Sequence, residues 1–283
     1  MRIVRNVADL RAAIGAARRS GARVGLVPTM GAFHEGHVSL MHRAKAESGV
    51  VVVSLFVNPT QFNETSDLER YPRDEQRDAH MAEEAGVAVL FAPSVDEVYP
   101  DGFATAVEVS TLADPLEGVV RGAQHFRGVA TVVTKLLNMA QPDDAYFGQK
   151  DAQQALIIRR LVRDLDLPVR IEICPTWREA DGLAMSSRNV LLDPASRTRA
   201  VALSKALFAI ERGARDGERR AHVLLDRGRA ILGAEHVVPE YFAIVDANTL
   251  APVETVDREA LVPIAARFGA VRLIDNVLIG GGT

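Results

Sequence analysis

The sequence predicts an α/β fold, a doubly wound parallel sheet followed by a smaller α+β part. Up to about residue 175, apolar β-branched runs alternate with amphipathic stretches of helical length, which implies right-handed βαβ crossovers. After Pro175 the pattern changes to two helices and then several strands. A chain of 283 residues also lies near the upper limit for one hydrophobic core. We therefore predict two domains, residues 1–175 and residues 176–283.

The first elements follow from helix caps and buried runs. Asn6 is a typical N-cap for a helix that runs to about Ser20, and Gly21 can end it. Residues 23–27 indicate a short buried strand, which a loop and a helix to about residue 48 follow. Residues 50–57 are β-branched and nearly all apolar, as expected of a central parallel strand covered on both faces.

The later elements are predicted from periodicity and from stop signals such as Gly86. In the first part they are helices over residues 74–85, 125–139 and 151–165, and strands over residues 87–91, 145–147 and 169–173. In the second part they are helices over residues 194–216 and 218–232, and strands over residues 241–246, 262–268 and 270–279. The last two strands are predicted to form a hairpin at Gly269.

Composition excludes several classes of function. The 33 basic and 37 acidic residues give a net charge of −4, without the basic excess that binding to nucleic acid requires. The single cysteine, Cys174, excludes an intramolecular disulfide and a cysteine-rich metal site, and we expect it to be buried. The apolar runs are too short to cross a membrane, and the N-terminus lacks the apolar core of a signal peptide. A cytoplasmic protein is expected. No G-x-G-x-x-G motif follows a strand, which argues against an NAD site.

The strongest local signal is the segment 28–37, which directly follows the first long strand. His34 and His37 lie three residues apart at the start of a helix, beside free backbone N–H groups. Gly31 and Gly36 let the backbone approach a phosphate, and a helix N-terminus is itself an anion site. A zinc site would need a different histidine spacing and a third ligand, and two surface histidines are the plain alternative.

Three further segments place polar groups at strand ends or in turns. Asn58 and Gln61 offer neutral amides that can hold a hydroxy acid without a strong salt bridge. Lys150 lies where a strand turns into a helix, as a point charge suited to triphosphate oxygens. Residues 185–188 combine two hydroxyls with a guanidinium. Each segment alone also fits an ordinary solvated loop.

Taken together, the motifs carry a resemblance. Segment 28–37 resembles the H-x-G-H signature of the nucleotidyltransferase superfamily, and its flanks resemble the pantothenate synthetase family. Four further blocks are similar to that family in the same order, at residues 56–62, 71–73, 147–154 and 178–189. The resemblance spans the whole chain. It implies a Rossmann-like nucleotidyltransferase domain and a C-terminal α+β domain that closes over the active site.

The resemblance also implies an activity. The family is an AMP-forming ligase that condenses (R)-pantoate with β-alanine to pantothenate, AMP and diphosphate through pantoyl adenylate. It implies ATP as a substrate with Mg²⁺, which is held largely by phosphate and water. Asp78 is a possible carboxylate of the outer coordination sphere, although a solvated helix face is the expected place for it. The metal ligands stay unassigned. The resemblance further suggests a homodimer through the N-terminal domain. From the charge and the short apolar runs, no nucleic-acid or membrane partner is expected.

The family's site residues carry over onto matching positions of this chain. The catalytic residues expected are His34, His37 and Lys150, and pantoate is expected at Gln61 and Gln154, with β-alanine also at Gln61. The residues expected to bind ATP are Met30, Gly31, Ala32, Phe33, His34, Glu35, Gly36, His37, Gly148, Gln149, Lys150, Asp151, Trp177, Met185, Ser186, Ser187 and Arg188. Many members carry Glu where this chain has Gln149, and Trp177 replaces a smaller aliphatic residue, so neither side chain is assigned a role.

Three alternatives make different demands on the sequence. A nucleotidyltransferase that acts on a phosphate monoester would need a basic pocket, where this chain has Gln61 and Gln154. A tRNA-charging enzyme would need a large basic appendage. A non-catalytic binding module would be favoured by loss of a motif residue, yet His34, His37, Lys150 and Arg188 are all present.

Overall fold

The computed structural model describes residues 1–63 and 65–281 and divides the chain into two compact units. The first unit consists of residues 1–148 and 153–175, and the second of residues 149–152 and the described residues from 176 onward. The short segment 149–152, which follows the fifth strand of the first unit, thus groups with the second unit. The predicted closure of one domain over the other stays a prediction.

The first unit is built on a six-stranded sheet in which neighbouring strands pair in parallel. Its strands are β1 (Arg2–Val4), β2 (Val24–Thr29), β3 (Val50–Leu55), β4 (Val89–Phe91), β5 (Asp144–Gly148) and β6 (Arg170–Cys174), in the spatial order β1-β4-β3-β2-β5-β6. The predicted parallel sheet is confirmed. Strand β2 lies between β3 and β5, so the strand order reverses there, and in open α/β sheets ligands bind outside the carboxyl ends of the strands at this point.

Helices connect these strands. They are α1 (Val7–Arg19), α2 (Glu35–Glu47), α3 (Thr65–Arg70), α4 (Glu75–Glu84), α5 (Val95–Val98), α6 (Glu117–Arg121), α7 (Ala123–Ala140) and α8 (Ala152–Asp164). The predicted cap is confirmed, since the Asn6 side chain accepts a hydrogen bond from the backbone N–H of Asp9 at 2.8 Å. The sequence did not predict β1, α3, α5 or α6, because elements of three to six residues are too short to show a period.

The core of the first unit lies against the middle of the sheet. Val51, Val52 and Val53 are fully buried, as predicted for a central strand covered on both faces. Cys174 is buried as predicted, and burial raises the pKa of its thiol to about 11. Such a thiol is almost entirely protonated at neutral pH, which fits a structural rather than a reactive cysteine.

The second unit contains α9 (Pro194–Ala200), α10 (Ala202–Arg215) and α11 (Ala221–Ala234), and the strands β7 (Pro239–Phe242), β8 (Val245–Asp246), β9 (Ala260–Phe268) and β10 (Val271–Ile279). Its sheet is antiparallel, in the order β10-β9-β7, with β8 also pairing with β9. The predicted hairpin is confirmed: β9 and β10 pair from Phe268 and Val271 outward, and Gly269 between them has a positive φ of 60°.

Two predicted elements of the second unit were wrong in extent. The helix predicted over residues 194–216 is two helices, α9 and α10, with Val201 between them. The strand predicted over residues 241–246 is also two strands. Ala243 donates to the carbonyl of Pro263 at 3.3 Å, but Pro263 has no N–H with which to return a ladder bond.

Apolar faces of these elements form a separate core in the second unit. Leu203, Leu207 and Ile210 of α10 pack with Val262 and Ile264 of β9 in one buried cluster. Within the described residues no helix is long and apolar enough to cross a membrane.

Candidate active site

Strand β2 leads directly into the predicted nucleotide segment. Thr29, its last residue, donates from Oγ1 to the Ser54 carbonyl at 2.6 Å and accepts the Gly31 N–H at 3.3 Å. Gly31 and Ala32 both have positive φ, at 86° and 53°. A Cβ on Gly31 would stand 2.9 Å from a carboxylate oxygen of Asp78, so glycine is required there by both conformation and space.

Asp78 holds this turn in place. Its Oδ2 accepts the N–H of Ala32 at 2.7 Å, and its Oδ1 accepts the N–H of Phe33 at 2.8 Å. Burial raises the pKa of this carboxyl, and the two N–H donors act in the opposite direction. The expected solvated position was wrong, because Asp78 is buried with Ala82 on the inward face of α4. Most of the other residues of α4 are charged or polar, so the sequence does not indicate which face of this helix is buried.

The two motif histidines cap helix α2. His34 is the N-cap residue, and its Nδ1 accepts the N–H of Gly36 at 3.1 Å. His37 is the third helical residue, and its Nδ1 accepts the N–H of His34 at 3.3 Å. The two ring centroids lie 4.1 Å apart. The expectation that the backbone N–H groups beside the histidines are free was wrong for these two, because the imidazoles themselves accept their hydrogen bonds.

This capping fixes the tautomer of both rings. A neutral imidazole carries one proton, and a ring whose Nδ1 accepts a hydrogen bond carries that proton on Nε2. His34 and His37 are therefore both Nε2–H donors in the neutral state. A pair of such donors at the carboxyl end of a switch-point strand can stabilise negative charge that develops on a phosphate.

Gln61 lies on a single 3₁₀ turn, Pro59–Gln61, and is positioned by the buried Asn58. Asn58 Nδ2 donates to Gln61 Oε1 at 3.0 Å and to the Gly128 carbonyl at 3.1 Å. Gln61 Nε2 lies 3.0 Å from Met30 Sδ. The structure thus brings Gln61 next to Met30, the first of the residues predicted to bind ATP.

Two neighbours of Asn58 complete this positioning. The hydroxyl of Tyr99 donates to Asn58 Oδ1 at 2.9 Å, and burial raises the pKa of that tyrosine. Gly128 lets helix α7 approach closely, because a Cβ there would stand 2.5 Å from the Thr60 carbonyl oxygen. Neither residue was predicted as part of the site from the sequence, and neither lies in a motif.

Gln154 lies on α8 of the same unit and is half-buried. Its neighbour Gln153 is buried and has a different role. Gln153 Nε2 donates to the carbonyls of Leu112 and Pro115, each at 2.8 Å, and its Oε1 accepts the N–H of Glu117 at 3.1 Å. The side-chain amide of Gln153 is therefore hydrogen-bonded to the segment 112–117.

In the second unit, the predicted residues fall into two segments. Residues 149–151 form one 3₁₀ turn, in which Lys150 Nζ lies 3.6 Å from Asp151 Oδ1. The Gln149 side chain, to which no role was assigned, donates to Asn276 Oδ1 at 2.9 Å. Gly148, the residue before this turn, ends β5 in the first unit.

The second segment is the loop from Trp177 to Arg188. The Met185 N–H donates to the Trp177 carbonyl at 3.0 Å, while the Trp177 side chain is half-exposed. Ser186 Oγ accepts the N–H of Arg188 at 3.2 Å. Residues 185–188 are all half-buried, and Asn189 behind them donates to the Ala184 carbonyl at 3.1 Å.

No metal centre is formed by protein side chains in the described ranges: no three His, Cys, Asp or Glu residues come together there as ligands. Asp78, the one carboxylate considered for a metal, already accepts a backbone N–H at each oxygen.

With this geometry established, the chain can be compared with known proteins. The family model described as pantoate–β-alanine ligase matches residues 2–278. A pantothenate synthetase of Roseiflexus castenholzii is 51% identical over 280 residues, which covers 99% of each chain. The chain belongs to the pantoate–β-alanine ligase family. As a member of that family it is an enzyme, an acid–amino-acid ligase.

Solved structures of family members have the same fold. The pantothenate synthetase of Thermus thermophilus superposes with a TM-score of 0.91 at 48% identity, over 98% of this chain and 99% of that one. A pantoate–β-alanine ligase from Francisella tularensis, solved in complex with β-γ ATP and β-alanine, has a TM-score of 0.80 at 35% identity, over 100% and 99% of the two chains. The predicted Rossmann-like α/β fold with a C-terminal α+β part is thus confirmed for this chain.

Proposed function

We propose that this enzyme condenses pantoate with β-alanine in two steps that consume ATP. In the first step a pantoate carboxylate oxygen attacks the α-phosphorus, a P–O bond forms, and diphosphate leaves, giving pantoyl adenylate. In the second step the β-alanine amine attacks the acyl carbon, the acyl–phosphate bond breaks, and AMP leaves as the amine loses a proton. The family relationship and the ligands in the Francisella relative support ATP and β-alanine as substrates.

The histidine pair at the end of β2 is the observation that carries this proposal. Both rings accept a backbone N–H at Nδ1, so both donate from Nε2 without changing tautomer during the reaction. Donors fixed in this way need no reorganisation as charge develops on the α-phosphate. His37 is proposed to stabilise the transition-state phosphate, and His34 to bind the nucleotide.

The other residues are proposed to bind the substrates. Lys150 and the hydroxyl and guanidinium groups of residues 185–188 suit the outer phosphates of ATP. Magnesium is proposed to enter as the ion bound to ATP, held largely by phosphate and water. Gln61 and Gln154 are proposed to hold pantoate, and Gln61 also β-alanine. Neutral amides bind the pantoate carboxylate without the strong ion pair that would stabilise the ground state.

The test is isotope exchange between labelled diphosphate and ATP. The first step needs only ATP, Mg²⁺ and pantoate, so exchange is expected with these three and without β-alanine. Leaving out pantoate should abolish exchange, and adding β-alanine should divert the adenylate to AMP and pantothenate. An adenylyltransferase for another substrate would ignore pantoate, and a binding module would exchange nothing. Exchange that strictly requires β-alanine would overturn the two-step reaction.

Two further expectations remain part of this proposal. The homodimer through the first domain rests on the family resemblance, and light scattering of the purified protein tests it: a mass of one chain at micromolar concentration would contradict it. A location in the cytoplasm rests on the sequence, and fractionation of the source cells tests it.

A further inference from the structure

Two buried polar residues of strand β10 have no role in the reaction described so far. Asp275 and Asn276 are each 3% exposed, and Val277 and Ile279 beyond them belong to the apolar core. Buried polar groups cost free energy unless they are hydrogen-bonded, so their partners indicate what the pair is for.

Asn276 binds the turn that carries Lys150. Its Nδ2 donates to the carbonyls of both Gln149 and Lys150, each at 2.9 Å. Its Oδ1 accepts from Gln149 Nε2 at 2.9 Å. One side chain therefore makes three hydrogen bonds to two consecutive residues that lie more than 120 positions away in the sequence. This fixes the backbone from which the Lys150 side chain extends.

Asp275 binds the loop that leads to residues 185–188. Arg178 donates to Asp275 through both terminal nitrogens, at 2.6 and 3.0 Å, in a bidentate pair. The same guanidinium donates to the Gly182 carbonyl at 3.1 Å and lies over the Phe208 ring at 4.8 Å. The N–H of Asn276 also donates to Asp275, at 2.7 Å, which joins the two arrangements.

Arg178 in turn shapes the start of that loop. It pairs with Ala184 in an isolated antiparallel bridge, and the residue after Ala184 is Met185. Two adjacent residues of β10 thus contact both segments of the second unit that are proposed to bind ATP. The amide of Asn276 contacts the turn at residues 149–151, and Asp275 contacts the loop from Trp177 to Arg188 through a buried ion pair.

We propose that Asn276 and Asp275 are positioning residues for ATP, which attach the Lys150 turn and the loop from Trp177 to Arg188 to one strand. This inference rests on the proposed function, because it assigns a purpose to contacts with segments that the function requires. A purely structural pair would stabilise the fold without affecting ATP in particular. Positioning residues should affect the use of ATP and leave the use of pantoate unchanged.

The experiment measures diphosphate exchange for two variants of Asn276, once with ATP varied at saturating pantoate and once with pantoate varied at saturating ATP. Asn276→Ala removes three hydrogen bonds, and Asn276→Asp keeps the shape but places an oxygen opposite two carbonyls. Each should raise the KM for ATP about tenfold or more, because two lost hydrogen bonds near 1 kcal/mol each correspond to that factor. The KM for pantoate should stay within about twofold of wild type.

The matched control is Asp246→Asn. Asp246 is also 3% exposed and in the second unit, but it accepts from Asn248, Thr249 and Arg258, away from both segments. Its variant should lower the melting temperature without changing the KM for ATP. Should Asn276→Ala fail to fold, Asn276→Asp carries the same comparison. Arg178→Lys then tests the Asp275 contact, since lysine cannot make the bidentate pair.

The outcomes separate this proposal from the proposed function. An Asn276→Asp variant with the wild-type KM for ATP would overturn the positioning role, and so would an equal rise caused by Asp246→Asn. A wild-type enzyme that shows no pantoate-dependent exchange would instead overturn the function itself.

Discussion

At the scale of single residues, His34 and His37 use the same ring atom for the same purpose. Each Nδ1 accepts a backbone N–H at the start of helix α2, and this leaves each Nε2 as a donor. The histidines therefore combine the role of helix cap, usually filled by Ser, Thr, Asp or Asn, with a donor that those side chains could not place at the same position.

The separate roles of Nδ1 as a helix cap and Nε2 as a hydrogen-bond donor can be tested at His37. His37→Ala removes both ends and should lower the adenylation rate by about 10²–10³, as the loss of one charge-stabilising donor does. His37→Asn keeps an acceptor near the position of Nδ1 but has no group at Nε2. It should be close to wild type in melting temperature and as slow as His37→Ala in diphosphate exchange. Near-native exchange by His37→Asn would contradict the assigned role of Nε2.

The sequence does not show which of two adjacent glutamines contacts a loop, or whether a carboxylate in a charged helix is buried. The motif at residues 147–154 contains Gln153 and Gln154 side by side, and nothing in the sequence distinguishes them without the family resemblance. Only the fold shows that the amide of Gln153 is bound to the loop at residues 112–117. Asp78 was predictable as a carboxylate of α4 but not as a buried one, because its partners are backbone N–H groups, which carry no sequence signal.

Helix α4 supports the turn that follows β2 through the contacts of Asp78 with Ala32 and Phe33. Asp78→Asn would replace one acceptor oxygen by an NH₂ group that faces the N–H of Ala32 or Phe33. Leaving such a donor unpaired costs about 1–3 kcal/mol, so the melting temperature should fall and adenylation should slow. The control is Glu84→Gln, an exposed carboxylate at the end of the same helix. Wild-type kinetics and stability in Asp78→Asn would show that the turn does not depend on this carboxylate.

The turn between α10 and α11 gives a prediction for pH. A hydrogen-bonded ion pair with Arg220 and the N–H groups of residues 219 and 220 lower the pKa of Glu218 to about 2, from an ordinary 4.5. A carboxylate with a lowered pKa stabilises the folded state fully above pH 4.5, and this contribution is lost as the pH falls toward 2. Glu218→Gln should therefore unfold at lower urea than wild type at pH 7, and the difference should shrink as the pH falls below 4.5. A difference that is independent of pH would show that the charge of Glu218 is not responsible.

Element boundaries in the second unit were predicted less well than in the first. The long apolar strands and capped helices of the first unit are visible in the sequence, since burial on both faces leaves an unbroken apolar run. The split of residues 194–216 occurs at the single residue Val201, and that of residues 241–246 lies opposite Pro263, which has no N–H to donate. Periodicity detects neither.

Over the chain as a whole, the sequence predicted the parallel sheet and contained recognisable motifs. It did not predict the contacts that connect distant segments. Residues 149–152 follow a strand of the first unit, so the predicted domain boundary came after them, at residue 175. Their grouping with the second unit is accompanied by the hydrogen bonds from Asn276, which are formed across more than 120 residues of sequence. A contact between two polar residues that far apart leaves no local pattern.

Gln61 and Asn276 share no hydrogen-bond partner, so their variants can test separately the proposed pantoate contact and the proposed positioning of ATP. Gln61 is positioned by Asn58 in the first unit, and Asn276 binds Gln149 and Lys150 in the second. If Gln61 holds pantoate and Asn276 positions the ATP segments, their variants should differ in diphosphate exchange, where β-alanine is absent. Gln61→Ala should raise the KM for pantoate and not that for ATP, and Asn276→Ala should do the reverse. Residues that share no partner usually contribute independently. In the double variant, the losses in the exchange rate at low substrate should therefore multiply to within about a factor of two. A Gln61→Ala variant that raises the KM for ATP and leaves the KM for pantoate unchanged would contradict the assignment of Gln61 to pantoate.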